Sequence, residues 1–318
     1  MKTKTKTVKS NVRFLKEYAL ILFVILLSII CGIVNKSFFT GSNIQNVLRT
    51  TSNLAVISMG MLLVVVTGGI DLCVAANAGF AGVFLAGVLQ NGMGAFPAVV
   101  LTLVICTICG TAAGFMVNYM NIAPFIATLA TSSIMDGIKY IYSNSNTITI
   151  TNEAFLKFGN GEWLGFSNCI LFMLIIVAVL QFVMAKTTYG RSMYAIGGNP
   201  AAAYLAGINV KRLTFSAYML SGFLAGWSGI IMASRLGVGS PTTGLTYVNY
   251  AIASTVIGGA TLAGGRGKPA IVMFGALVIS IINNFMTLEG VGSYYQKVVL
   301  GIIIIVAVFF SETANKKR

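Results

Sequence analysis

Ser52–Gln90 reads SNLAVISMGMLLVVVTGGIDLCVAANAGFAGVFLAGVLQ, and this stretch decides the fold. Two apolar runs, 52–67 and 74–90, flank the break Thr67-Gly68-Gly69-Ile70-Asp71-Leu72. Each run approaches the length, about 17–25 residues, that a helix needs to cross the hydrocarbon core of a bilayer. A carboxylic acid behind two glycines at that depth implies an interrupted helix. Its freed backbone groups must find partners inside protein or along a watery cavity. Asp71 is therefore a candidate functional residue, with Gly68 and Gly69 as a hinge or gate beside it. The same acid also suits a structural role, holding the first N–H groups of the helix that follows.

The rest of the chain repeats the apolar pattern. Of its 318 residues, 57% are hydrophobic and 9% charged, against about 25% charged in a soluble domain. There is too little charge to cover a soluble surface of this size. Ten apolar segments are expected to be helices, near 18–34, 52–67, 74–90, 96–117, 123–142, 168–185, 212–233, 246–263, 270–287 and 296–310. The reading is an all-α integral membrane protein, with residues 1–318 forming a single transmembrane domain. The basic N-terminus followed by Tyr18–Val34 imitates a secretory signal. Its apolar stretch is long, no small-x-small cleavage site follows, and an uncleaved first span is expected.

Charge sets the orientation. The formal net charge is +14, from 21 Lys+Arg against 7 Asp+Glu. With the N-terminus cytoplasmic, ten spans return the C-terminus to the same side. The inside segments then hold Lys2, Lys4, Lys6, Lys9, Arg13, Lys16, Lys186, Arg191, Lys211, Arg212, Arg266, Lys268, Lys316, Lys317 and Arg318. Outside there are Lys36, Arg49, Lys157, Arg235 and Lys297, with Lys139 inside a span. That asymmetry is the positive-inside pattern of a multi-pass protein of the cytoplasmic membrane, not the footprint of a nucleic-acid binder.

Missing residue types exclude whole classes of chemistry. The chain has no histidine, so triads and metal sites built on it are ruled out, and no metal or cofactor is expected. Cys106 and Cys109 have CxxC spacing, yet apolar flanks favour buried packing over redox or metal chemistry. Gly264-Gly265-Arg266-Gly267-Lys268-Pro269 lacks the first Gly and the final Ser/Thr of a nucleotide-binding loop. It reads as a tight turn, with Pro269 near the first position of a helix. The chain is not expected to be an enzyme or to hydrolyse ATP by itself.

Two further features carry function. Asp136 and Lys139 lie three positions apart on one helix, where they can pair within the membrane. An ion-coupled transporter using Asp71 and Asp136 is the alternative reading that they support. The other feature lies in the inside loop 186–211. Asn199 suits an N-cap, Pro200 the first helical position and Gly207 the end. A helix of about seven residues follows, comprising Pro200, Ala201, Ala202, Ala203, Tyr204, Leu205 and Ala206. So short a helix is unstable alone and needs something packed against it. Its alanines allow close approach while Tyr204 and Leu205 offer anchors, so a partner groove is expected to receive it. Gly110–Gly114 and Gly222–Gly226 have the GxxxG spacing of close helix packing, within the chain or across a dimer.

Several segments, in order, resemble the ribose-type permeases of bacterial ABC importers. They are Gly69-Ile70-Asp71-Leu72, Phe125–Leu129, Tyr194–Asn199 through Gly207-Ile208-Asn209, and Ser221-Gly222 to Gly229-Ile230. Gly258-Gly259, Leu262–Gly265, Asn283-Asn284 and Ser293–Gln296 complete the set. The resemblance covers nearly the whole chain. It implies alternating access in a monosaccharide permease that pairs with itself or a paralogue. A separate cytoplasmic ATPase would drive it, and an extracytoplasmic solute-binding protein would deliver the sugar. Asn199–Gly207 then corresponds to the coupling helix. The chain departs from the family where Glu is usual at Pro200 and Arg is frequent at Tyr204. Asn283, Asn284, Tyr294 and Tyr295 are candidate pathway residues, since amides and phenols suit hydroxyl-rich solutes.

Overall fold

A computed structural model describes residues 19–163 and 165–316. The N-terminal cations, Tyr18, Lys317 and Arg318 lie outside the described residues. The apolar segments expected from the sequence each carry a helix. They are α1 (described over Ala19–Val34), α2 (Gly41–Val66), α3 (Val74–Gln90), α4 (Ala95–Asn118) and α5 (Pro124–Tyr142). Shorter elements follow: β1 (Ile148–Thr149), α6 (Glu153–Asn160), β2 (Glu162–Trp163) and β3 (Phe166–Ser167). Next are α7 (Asn168–Lys186), α8 (Thr188–Gly198), α9 (Pro200–Leu205), α10 (Val210–Leu236) and β4 (Val238–Gly239). The chain closes with α11 (Tyr247–Ile257), α12 (Pro269–Leu288) and α13 (Ser293–Lys316).

Among the described residues, α2, α4, α7, α10 and α12 are long and apolar enough to cross a membrane, and α1, α3, α11 and α13 have shorter apolar stretches. Their environments differ. The apolar window of α2 is 89% buried, whereas those of α4 and α7 are each 28% buried. So α2 runs through the middle of the bundle, while α4 and α7 turn Ile108, Ile175 and Phe182 outward. Outward aliphatic and aromatic side chains on polytopic helices are the surface that lipid covers.

The main core joins α2, α3, α7, α10, α11 and α12. Glycine sets its closest seam. A Cβ on Gly110 of α4 would stand 2.8 Å from the Cα of Gly222 on α10. One on Gly226 would stand 2.6 Å from the Cβ of Cys106. Both GxxxG pairs thus pack α4 on α10 within the chain. Asn77 of α3 locks the same seam, donating to the carbonyls of Cys106 (3.0 Å) and Gly222 (3.2 Å).

Three expected boundaries move. The second helix starts at Gly41 rather than near 52, because the polar segment 41–51 contains no proline and stays helical beneath the same core. The eighth ends at Ile257 rather than 263. Gly259, Gly264, Gly265 and Gly267 all take positive φ, a conformation that glycine adopts freely and a helix cannot contain. The third lies in the loop 143–167, which is folded rather than irregular. β1 pairs antiparallel with β4, and β2 with β3. Ser234 of α10 donates to the Phe155 carbonyl at 2.7 Å and accepts from the Gly159 N–H at 2.8 Å, seating α6 on α10.

Candidate functional site

Between α2 and α3 the backbone leaves the helical path at Gly68, whose φ is +84°. Asp71 is fully buried there. Its Oδ1 accepts the Cys73 N–H at 3.0 Å and its Oδ2 accepts the Ser221 hydroxyl at 2.6 Å. The carboxylate therefore closes the turn just before α3 and ties it to α10. The α3 N-cap itself is Cys73, which makes no side-chain capping bond. Gly69 lies under Tyr218, where a Cβ would stand 2.6 Å from the phenol oxygen. That contact explains the second glycine. The three expected residues Gly68, Gly69 and Asp71 thus form one compact break.

A second group of glycines meets this break. The Gly265 N–H donates to the carbonyl of Val66, the last residue of α2, at 2.8 Å. A Cβ on Gly264 would lie 3.0 Å from the Cα atoms of both Gly68 and Gly197. One on Gly197 would collide with the Val66 carbonyl and the Gly265 N–H. Three chain segments therefore touch backbone to backbone: the end of α2, the 258–268 turn and the end of α8. Tyr194 of α8 adds a clasp, its hydroxyl donating to the Gly267 carbonyl at 2.5 Å. Burial pushes the Tyr194 phenol above its ordinary pKa, so the proton it donates stays in place.

The segment continuing from this junction is α9. Asn199 caps it, its Oδ1 accepting the Ala202 N–H at 3.0 Å, and Gly207 follows with φ +81°. The helix is six residues long, one fewer than expected, because Ala206 is the C-cap. Ala203 faces inward, while Ala201, Ala202, Tyr204 and Leu205 are exposed. Leu205, at 86%, is among the most exposed large apolar side chains of the described residues. A helix this short gains its order from Ala203 and its cap, and it presents Tyr204 and Leu205 to whatever lies beyond.

The other sequence candidates sit elsewhere. Lys139 is buried and ion-pairs with Asp136, one turn earlier on α5. Asn284 exchanges reciprocal amide hydrogen bonds with Asn43 of α2, at 2.7 and 3.0 Å. Asn283 is one residue before it, and its carbonyl accepts the Thr287 hydroxyl at 2.9 Å. Tyr294 and Tyr295 are exposed at the start of α13. Ser221, Tyr194, Gly197 and Gly264–Gly267 were not singled out as site residues. The legible signal was a lone hydroxyl and repeated glycines at the margins of apolar runs, which by themselves indicate packing.

Residues 43–308 match the family described as Branched-chain amino acid transport system / permease component. Ribose import permease protein RbsC of Bacillus subtilis (strain 168) is 39% identical over 285 residues, 89% of this chain and 88% of that protein. Ribose import permease protein RbsC of Escherichia coli (strain K12) is 35% identical over 323 residues, 99% of each chain. D-allose transport system permease protein AlsC of Escherichia coli (strain K12) is 34% identical over 280 residues, 88% of this chain and 86% of that protein. The broken helix, the lipid-facing surface and the match along nearly the whole sequence agree: the chain belongs to this permease family, as a non-enzymatic, multi-pass protein of the cytoplasmic membrane.

Proposed function

We propose that the chain is the membrane subunit of an ATP-binding-cassette importer for a monosaccharide, working by alternating access. The carrying observation is the junction at Gly197, Gly265 and Val66, which joins the base of α9 to the break before Asp71. A push on α9 would reach that break through close-packed backbone, with no flexible side chain between. On this reading α9 lies on the cytoplasmic face in the loop 186–211, with both termini on the same side of ten spans. Asn199–Leu205 and Gly207 receive the force of a separate ATPase. Gly68, Gly69 and Asp71 act as hinge or gate. A solute-binding protein delivers the sugar at the opposite face, and a second permease subunit, identical or paralogous, completes the pathway. Asn283, Asn284, Tyr294 and Tyr295 are its candidate sugar contacts. Names of the relatives favour ribose and allose as first substrates to try.

The test is uptake of labelled ribose and allose into vesicles containing the permease, its ATPase and its binding protein. Uptake should require ATP and binding protein and survive collapse of the proton and sodium gradients. Uptake that persists without ATP and vanishes with an ion gradient would establish the Asp71–Asp136 transporter instead.

A further inference from the structure

A cavity of about 520 Å³ opens between α7, α8, α12 and the 258–268 turn. Its polar side is cationic, with Arg191, Arg266 and Lys268, together with Gln181 and Tyr194. No acidic residue lines it, and the sequence has none from 164 to 288. The Arg191 guanidinium is directed toward α7 by a 3.3 Å bond to the Lys186 carbonyl. Gln181 accepts the Ala270 N–H at 3.1 Å, which fixes the start of α12 beside the cations. The opposite wall is apolar, formed by Met184, Ala185 and Ile271.

We infer that this cavity holds the phosphodiester headgroup of an anionic glycerophospholipid. Guanidinium and ammonium groups without carboxylate neighbours suit phosphate oxygens, and Arg can bind them bidentately. The apolar wall is what separates a lipid from a free anion. It continues up α7 as the outward stripe Ile175, Val179 and Phe182, which are 60%, 55% and 63% exposed. Their i, i+4, i+7 spacing forms one helix face. An acyl chain along that stripe leads its phosphate directly to Arg191 and Lys268. Inorganic phosphate would gain nothing from Met184, Ala185 or the stripe. Basic pockets between membrane helices at the headgroup level are a known form of lipid recognition. Tyr194 both lines the cavity and clasps Gly267, so the bound lipid would brace the junction that carries α9.

The experiment is native mass spectrometry of the purified full chain, exchanged in detergent with either dioleoylphosphatidylglycerol or dioleoylphosphatidylcholine. The phosphatidylglycerol adduct should dominate by about tenfold or more, a preference worth 1.4 kcal/mol per tenfold. The variant Arg191→Gln/Lys268→Gln should lose that preference, and Arg191→Lys/Lys268→Arg should keep it. Millimolar inorganic phosphate should leave the adduct in place. Equal retention of the two lipids, or an unchanged Gln variant, overturns the inference. Displacement by phosphate overturns the lipid assignment in favour of a soluble anion. Loss of ATPase co-purification with unchanged lipid retention assigns the cavity to the ATPase and likewise overturns it. Should the double Gln variant fail to be recovered, the same lipid comparison on the unaltered chain and Arg191→Gln alone decides.

Discussion

Ser221 of α10 donates a 2.6 Å hydrogen bond to Asp71, joining the break before α3 to a helix 150 positions later in sequence. The remaining carboxylate oxygen holds the Cys73 N–H. One buried side chain therefore shapes the turn locally and fixes it to the bundle.

This pairing sets the first prediction. Asp71→Ala leaves the Ser221 hydroxyl and the Cys73 N–H without their acceptor. An unsatisfied buried polar group costs about 1–3 kcal/mol, so the thermal unfolding temperature in detergent should fall clearly. Asp71→Asn keeps an acceptor oxygen and should fall less. If Asp71→Asn folds normally yet transports poorly, the charge serves gating. Normal transport by Asp71→Asn leaves the residue a purely structural role, and an Asp71→Ala protein as stable as the original would contradict both.

Adjacent glycines provide the second. A Cβ at Gly197 would strike Val66 and Gly265, whereas one at Gly198 meets nothing within 4 Å. Overpacking a tight contact costs about 1–3 kcal/mol. Gly197→Ala should lower stability or separate ATP hydrolysis from uptake, and Gly198→Ala should behave like the original protein. Equal behaviour of the two substitutions in both assays would show that the junction transmits nothing.

How much of this was legible beforehand differs from element to element. The break at Gly68–Asp71 was readable because two glycines and an acid interrupt long apolar runs. The α9 cap was readable because Asn199, Pro200 and Gly207 each have one dominant helical position. The junction was not, since its contacts join backbone atoms from residues near 66, 197 and 265, and glycine gives no side-chain pattern to align. The fold of 148–163 was also hidden. Its β1 partner, Val238–Gly239, lies about ninety positions away, and two-residue strands leave no periodicity to detect.

The third prediction concerns α9. Ala202 is exposed beside Tyr204 and Leu205, so Ala202→Arg alters the docking face and leaves the core untouched. A buried, unpaired charge in a partner groove costs several kcal/mol, and each 1.4 kcal/mol is about tenfold in affinity. Co-purification of the ATPase should fall by about a hundredfold, with membrane levels near normal. Leu205→Ala should weaken it more mildly by removing an apolar anchor. Undiminished co-purification and coupled hydrolysis in both variants would remove α9 from the contact.

Topology is the fourth. Thr151 and Ala206 are exposed at the two ends of the bundle, and the natural cysteines are buried except the partly exposed Cys109. In intact cells, Thr151→Cys should react with a membrane-impermeant maleimide, and Ala206→Cys should react only after lysis. Labelling of both from the same side would refute the ten-span orientation.

The α4–α10 seam has a mechanical consequence. Where Gly110 faces Gly222 and Asn77 bridges both neighbours, neither helix can slide without backbone collision and the loss of two hydrogen bonds. Helices α3, α4 and α10 must then travel as one rigid block. The strokes of a transport cycle are left to the looser partners, α1, α11 and α13, which behave as shutters against a solid frame. A disulfide staple across the α4–α10 seam should be harmless to turnover, whereas one that pins α11 to α13 should stall it.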